Sequence, residues 1–262
     1  MLLSTGKGKI FNDPIHGHIE ISLLAVKVMD TPQFQRLRDI SQLGGTYYVF
    51  SGASSNRFEH CLGVSYLAKV FVSNLRANQP ELHITDKEIL CVELAGLCHD
   101  LGHGPFSHLY DGKLLPSVLN NHDFAHEHAS IGILDILIRD NNLLPEFAKH
   151  GLDESHIHFI KELMLGDAHE APPDFEWKGC PNREFLYDIV ANKRNGIDVD
   201  KFDYFARDCH MLGLTKSFDS MRLMKFARVF PVSRGANSGG EQLEVCFHVK
   251  EAWNIFELFH TR

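Results

Sequence analysis

The sequence lacks several features that would each have fixed its class. None of its six cysteines, Cys61, Cys91, Cys98, Cys180, Cys209 and Cys246, forms a CxxC pair. Several sit in apolar helical contexts, which suits reduced, buried thiols in an intracellular protein. No apolar run approaches the ~20 residues of a membrane span. The opening stretch MLLSTGKGKIFNDP has no apolar core of a secretory signal. Positive charge is not in excess either: 26 Lys and Arg face 34 Asp and Glu, a net charge of −8. Bulk electrostatic binding of nucleic acid is therefore disfavoured, although a few local cations can still hold a small polyanion. Repeats and low-complexity tracts are also missing.

What remains is an ordinary globular composition, 44% hydrophobic and 23% charged over 262 residues, long enough for one large core. The count that stands out is 17 histidines, the side chain that most often binds metal and moves protons near neutral pH. Helical signals dominate. Thr31-Pro32 is an N-cap followed by proline at the first helical position, opening QFQRLRDISQL. The segment CLGVSYLAKVFVSNLRA after NRFEH reads as a long apolar-striped helix. Thr85 and Glu88 form a capping box for DKEILCVELAGLCHD, which is apolar on most sides and so expected to be central, until Gly102 and Gly104 break it. Further helices are expected near 124–139, 142–150, 155–165, 184–193, 199–210 and 218–227. ARVFPV and EQLEVCFHV flank SRGANSGG as a hairpin, and a last helix from about 250 runs to the chain end. The fold class expected is mostly α with a small β-hairpin near the C-terminus.

The chemistry concentrates in LAGLCHDLGHGPFSHLYDG, which holds His99, Asp100, His103, His108 and Asp111. Adjacent His and Asp at the end of a buried helix are costly to desolvate, and a divalent cation removes that cost. The two lie about 100° apart around a helix and can reach one ion. The upstream candidate ligand is His60 in NRFEHCLG; the downstream one is Asp200 in NGIDVDKFDYFARD, which could equally be a helix cap, since Asp198 and Asp200 sit near a helix start. Asp200, Tyr204 and Asp208 are spaced i, i+4, i+8 on one helix face. Arg57, one turn before His60, and Lys201, next to Asp200, add cations. Any of these alone is ordinary: an HD dipeptide occurs by chance, and a lone histidine on an apolar helix is usually a core residue. The conjunction carries the reading.

The ordered set His60, His99-Asp100 and Asp200 resembles the HD superfamily of metal-dependent phosphohydrolases. Beyond it, FNDPIHGHIEI, DTPQFQRLR, QLGGTYYVFSGASSNRFEHCLGV, LAGLCHDLGHGPFSHLYDG and NKRNGIDVDKFDYFARDCHMLG closely resemble the SAM-and-HD-domain deoxynucleoside triphosphate triphosphohydrolase family of animals. The likeness runs from about residue 8 to 262 and is weak at 140–182 and 231–243. It implies a single HD phosphohydrolase domain over 1–262 that hydrolyses a dNTP to deoxynucleoside and inorganic triphosphate. It also implies a divalent metal (iron, manganese, zinc or magnesium) on His60, His99, Asp100 and Asp200. His103, His108, Asp111 and His126 fall on the catalytic group. Gln42, Leu43, Arg57, Lys201, Tyr204 and Asp208 fall on substrate contacts, with Tyr204 placed to reject a 2′-hydroxyl. Lys9, Ile10, Asn12, Asp30, Gln35 and Arg38 match a guanine-nucleotide regulatory site. Val49, Phe50, Arg222, Lys250 and Asn254 match the adjoining site for an activating dNTP. A homotetramer, nuclear or cytoplasmic residence, and contact with single-stranded nucleic acid follow from the same resemblance.

The sequence departs from that pattern in three places. The family's preceding SAM domain is missing, AHEHASI carries an extra histidine, His128, and the chain stops at FHTR, where the family continues with a region that completes the cleft and the tetramer. Metal binding is the expectation least affected. Two other functions stay open: an HD phosphodiesterase or nuclease, and a non-catalytic or dominant-negative nucleotide-binding partner.

Overall fold

The structure is a computed structural model that describes residues 8–119, 124–233 and 241–261. It is mostly helical, as the sequence pattern requires, and its long helices start where their caps predict. α3 (Arg57–Asn78) opens on Asn56, whose N–H donates to the Glu59 carboxylate (3.1 Å). α4 (Asp86–Cys98) opens on Thr85, which exchanges hydrogen bonds with Glu88 at 2.7 and 3.2 Å. α4 is buried from Cys91 to Cys98 and lies between α3 and α8 (Glu154–Leu165), so it is the central helix expected. α10 (Val199–Leu212) packs on the other side of α3. Leu67, Phe71, Leu97, Leu163 and Phe202 are all fully excluded from solvent within one core, each aliphatic or aromatic side chain contributing roughly 1.5–3 kcal/mol.

Around these lie α6 (His126–Asp140), α7 (Leu144–Lys149), α9 (Tyr187–Val190), α11 (Ser220–Phe226) and α12 (Ala252–His260). The C-terminal hairpin is present: β3 (Arg228–Ser233) pairs antiparallel with β4 (Glu241–Cys246), from Arg228 opposite Cys246 to Ser233 opposite Glu241. Residues 234–240 of the expected SRGANSGG connection fall outside the described residues. All six cysteines are free; Cys61, Cys91, Cys98 and Cys209 are buried. Among the described residues, no helix is long and apolar enough to cross a membrane.

Several elements differ from expectation. A second hairpin, β1 (Gly8–Asp13) with β2 (Gly17–Ser22), opens the described chain and leads into α1 (Leu23–Met29). The helix capped by Thr31 is only α2 (Pro32–Gln35), tightening to a 3₁₀ turn at Arg36–Asp39 instead of continuing through QFQRLRDISQL. Residues 184–193 likewise form a 3₁₀ turn and the short α9. After His108 the chain makes a π-turn (Tyr110–Leu114) and α5 (Leu115–Leu119), neither anticipated. The last helix ends at His260, where the Thr261 hydroxyl turns back to the Glu257 carbonyl (2.7 Å).

Candidate active site

Three helix ends meet at one point. His60 lies in the first turn of α3 and is fully buried. His99 and Asp100 occupy the turn that follows the last residue of α4. Asp200 lies in the first turn of α10. Asp198 is the cap there: its carboxylate accepts from the N–H of Lys201 and of Asn192, both at 3.0 Å. That resolves the alternative the sequence left open and leaves Asp200 for the cleft. The Asp200 Oδ1 stands 3.0 Å from His60 Nε2 and 3.4 Å from His99 Nε2. Asp100 completes the set with Oδ2 3.3 Å from His60 Nε2 and Oδ1 3.4 Å from His99 Nε2. Ligand atoms of His60, His99 and Asp200 fall within 4.8 Å of one another.

The other ring nitrogens are committed to acceptors. The Nδ1–H of His99 donates to the Gly96 carbonyl (2.9 Å), and that of His60 to Asp203 (2.8 Å). Burial alone would raise the Asp203 pKa. The charge of Arg207 and hydrogen bonds from His16, His60 and Arg207 outweigh it and hold the carboxyl well below its usual range. Asp203 therefore only accepts. Both Nε2 atoms, buried and without hydrogen-bond partners, face the Asp100 and Asp200 carboxylates. Burial would lower the pKa of His60 and of His99, but the surrounding aspartates raise both. Two imidazoles and two carboxylates turned on each other are relieved by a proton or, better, by a divalent cation. The residues fit a metal.

A second cluster adjoins the first. The loop after α4 carries Phe106 and Ser107 with φ of 62° and 54°, a conformation that costs non-glycine residues of order 1–3 kcal/mol and gathers at functional sites. Ser107 is held there by Arg57 Nε (2.9 Å) and by its own bond to the Ser41 carbonyl (2.7 Å). The loop places the ring of His103 4.9 Å from that of His108 and stacks it on His126 at 3.9 Å. The Asp111 Oδ2 lies 3.1 Å from Nδ1 of His126. Their ligand atoms also converge within 4.8 Å. Burial draws His103 down to about 4 and lowers His108. For His126, burial is outweighed by Asp111 and Asp100, and its pKa rises; Asp111 falls in turn, against its own burial. The buried hydroxyl of Ser130 in α6 ties the clusters together, 2.7 Å from the His99 carbonyl and 2.8 Å from that of His126, while accepting the Gly102 N–H. A Cβ at Gly102 would lie 2.0 Å from the His126 carbonyl, so only glycine permits this approach.

The HD domain model matches residues 57–208, from the first residue of α3 to the far end of the Asp200 helix face. The chain belongs to the HD domain family. Its HD domain is also similar to curated proteins named deoxynucleoside triphosphate triphosphohydrolase SAMHD1: 54% identical to that of Gallus gallus and 53% to that of Homo sapiens, each over 258 residues and 97% of this chain. The Dictyostelium discoideum homolog is 44% identical over 262 residues, 99% of this chain. The alignments cover 41%, 40% and 45% of those relatives, so this chain spans about two fifths of their length.

Around the HD centre, a cavity of about 370 Å³ is lined by His99, Asp100, His126, Asp200 and Lys201, within the size range of small-ligand pockets. Glu127, Asn192 and Lys193 also line it; the sequence gave no signal for these beyond NKRNGIDVD being charged. Arg57 is buried and directs Nη1 to Asp100 Oδ2 at 2.6 Å. The Tyr204 ring is 6.5 Å from His60, with the Lys201 Nζ 5.8 Å from its centroid. Gln42 and Leu43 follow Ser41, the residue held by Ser107. The Gln42 Oε1 and Asp208 Oδ1 are buried and without hydrogen-bond partners, and burial pushes Asp208 up to about 6. His128 is turned away, bonded to the Glu170 carbonyl (2.8 Å).

The remaining expected residues lie on outlying surfaces. Lys9, Ile10 and Asn12 are on β1, and Asp30 ends α1. Arg38 bonds Gln35 (2.8 Å) and covers the Phe58 ring. Val49 and Phe50 are exposed after a 3₁₀ turn. Arg222 and Asn254 meet through Glu251, at 2.8 and 3.0 Å, and Lys250 precedes that glutamate.

Proposed function

We propose that this chain hydrolyses deoxynucleoside triphosphates to deoxynucleoside and inorganic triphosphate in a metal-dependent reaction. One observation carries the reading: two clusters, one fit to hold a cation and one fit to move a proton, are clamped side by side at a single cleft. The names and identity levels of the relatives supply the substrate class.

In this reading His60, His99, Asp100 and Asp200 hold iron, manganese, zinc or magnesium. When bound, such an ion polarises a phosphoryl oxygen and activates water at neutral pH. Arg57 and Lys201 offset the triphosphate charge. His126, which Asp111 and Asp100 make a stronger base despite its burial, gives its proton to the leaving sugar oxygen, or passes that role to His108, whose ring is 5.4 Å away. Asp111 and His103 hold His126 in place. The unpartnered oxygens of Gln42 and Asp208 accept hydroxyl hydrogens of the sugar, Leu43 lies against the base, and Tyr204 leaves no room for a 2′-hydroxyl.

The proposal extends to regulation. A guanine nucleotide would bind at Lys9, Ile10, Asn12, Asp30, Gln35 and Arg38, and an activating dNTP at Val49, Phe50, Arg222, Lys250 and Asn254, in a homotetramer, nuclear or cytoplasmic, built from one HD domain per chain. The mutual bonds of Gln35 with Arg38 and of Arg222 and Asn254 with Glu251 support two such groupings.

The test is release of inorganic triphosphate from dGTP with Mn²⁺, with and without GTP. Metal-dependent release that GTP enhances is expected. Cleavage of single-stranded nucleic acid, lost in Asp200→Ala, with dGTP left intact would point to an HD nuclease. GTP binding with no turnover in any metal would leave a non-catalytic partner.

A further inference from the structure

Behind His60 lies a closed chain of buried charge that the proposed reaction does not use. Asp203 is fully excluded from solvent and receives four hydrogen bonds. His60 Nδ1 donates to Oδ2 at 2.8 Å, and His16 Nε2 to Oδ1 at 2.7 Å. Arg207, one turn on and also fully buried, grips both oxygens at 2.9 Å. Its remaining terminal nitrogen reaches Asp13 Oδ2 at 2.9 Å. Asp13 in turn receives the N–H of Ile15 and of His16, which shapes the turn between β1 and β2. Every member is paired, and the packing is tight: a Cβ on Gly63 would fall 1.9 Å from Asp203 Oδ1. A buried Arg–Asp pair is rarely a net gain in stability over apolar packing, so its cost calls for a purpose.

The geometry points to Asp203 as the positioning residue of the metal site, with His16 from the N-terminal hairpin as its support. By fixing Nδ1–H of His60, Asp203 sets the tautomer and the ring plane so that Nε2 is turned towards Asp100 and Asp200. Outer carboxylates of this kind fix orientation and raise the basicity of a ligating imidazole, and their loss weakens metal binding 10–100-fold. His16 holds the oxygen of Asp203 that His60 leaves free. The turn at residues 13–17 is therefore the outer wall of the cation site, and metal binding and the seating of the hairpin favour each other reciprocally. The inference rests on His60 being a ligand and adds what holds it.

The test is Mn²⁺ binding by calorimetry, with hydrogen exchange of residues 8–22 measured on the same samples. It compares the unaltered chain with Asp203→Asn and His16→Ala, each checked for native circular dichroism. Asp203→Asn is expected to bind Mn²⁺ 10–100-fold more weakly, and His16→Ala several-fold more weakly. Mn²⁺ should slow exchange in the hairpin of the unaltered chain and lose that effect in both variants. Should Asp203→Asn not fold, His16→Ala alone decides. A folded variant of either kind with unchanged affinity overturns the inference while leaving the ligand set intact. An unaltered chain that binds no Mn²⁺, Fe²⁺ or Zn²⁺ removes the ligand reading, and the inference falls with it.

Discussion

The Asp200 Oδ1 and the His60 Nε2 stand 3.0 Å apart, yet that ring nitrogen makes no hydrogen bond. A ring atom that is buried, close to an anion and still unsatisfied is in an arrangement that a cation completes. The same applies to Nε2 of His99, 3.4 Å from the same oxygen.

Removing a ligand should therefore show in metal content before it shows in fold. His99→Ala and Asp100→Ala are each expected to lose bound metal by plasma emission after dialysis. In the unaltered chain, Mn²⁺ at a hundredfold excess over its Kd should add about 2.7 kcal/mol of stability, read as a rise in Tm that the variants lack. Full metal content in either variant would show the ligand assignment to be wrong.

Tyr204 shares the Asp200 helix face and lies against the His60 ring. Truncating it should admit a ribose, so Tyr204→Ala should reduce the preference for dGTP over GTP, measured as the ratio of kcat/KM, by about tenfold, the scale on which small steric differences discriminate. An unchanged ratio would mean that the 2′-hydroxyl is rejected elsewhere.

Asp198 caps α10 and also holds the Asn192 N–H. Asp198→Ala should cost roughly 1–2 kcal/mol in urea denaturation, the usual worth of a lost N-cap, while Asp198→Asn keeps most of it. Equal stability of the alanine variant would mean that the start of α10 is fixed by packing instead.

Glu93, six residues before His99 on α4 and not part of the cleft lining, gives a pH signature. It is 1% exposed, and burial raises its pKa despite Lys69 and the Ser22 N–H. A carboxyl raised on folding stabilises fully below its unfolded pKa and loses that contribution as pH climbs through the folded value. Glu93→Gln keeps an acceptor for Ser22 and removes the buried charge. It should be the more stable protein at pH 8, with the advantage vanishing as pH falls below the unfolded pKa of Glu, about 4.3. A gap that widens on acidification would reverse the sign and refute the account.

Local signals made much of this readable in the sequence. Thr85 with Glu88 and Thr31 with Pro32 announce helix starts through bonds made within three or four residues, and the HD segment carries its own chemistry. The N-terminal hairpin was missed although β2 carries a strand signal: Ile19 and Ile21 are buried and alternate with exposed His18 and Glu20, and the Asp13–Gly17 turn pairs them with β1. Asp203 was missed for another reason. It lies off the face that links Asp200, Tyr204 and Asp208, and its meaning comes from His16 and His60, which are distant in the chain. The one nearby cue was the i, i+4 spacing of Asp203 and Arg207. Helix extents failed where backbone tightened into 3₁₀ turns, as after Gln35, a change that composition does not encode.

The Ser130 hydroxyl has one hydrogen and two carbonyls within reach of it, those of His99 and His126. It can satisfy only one at any instant, so the pair must stay close enough for the hydrogen to alternate. Such an atom behaves as a rivet with slight play: it pins the separation of the two histidine groups while letting each rock by a fraction of an ångström. An alanine at this position would take this partner from the buried His99 carbonyl and Gly102 N–H, while the His126 carbonyl would keep its bond within α6, and the tie between the two halves of the cleft would loosen.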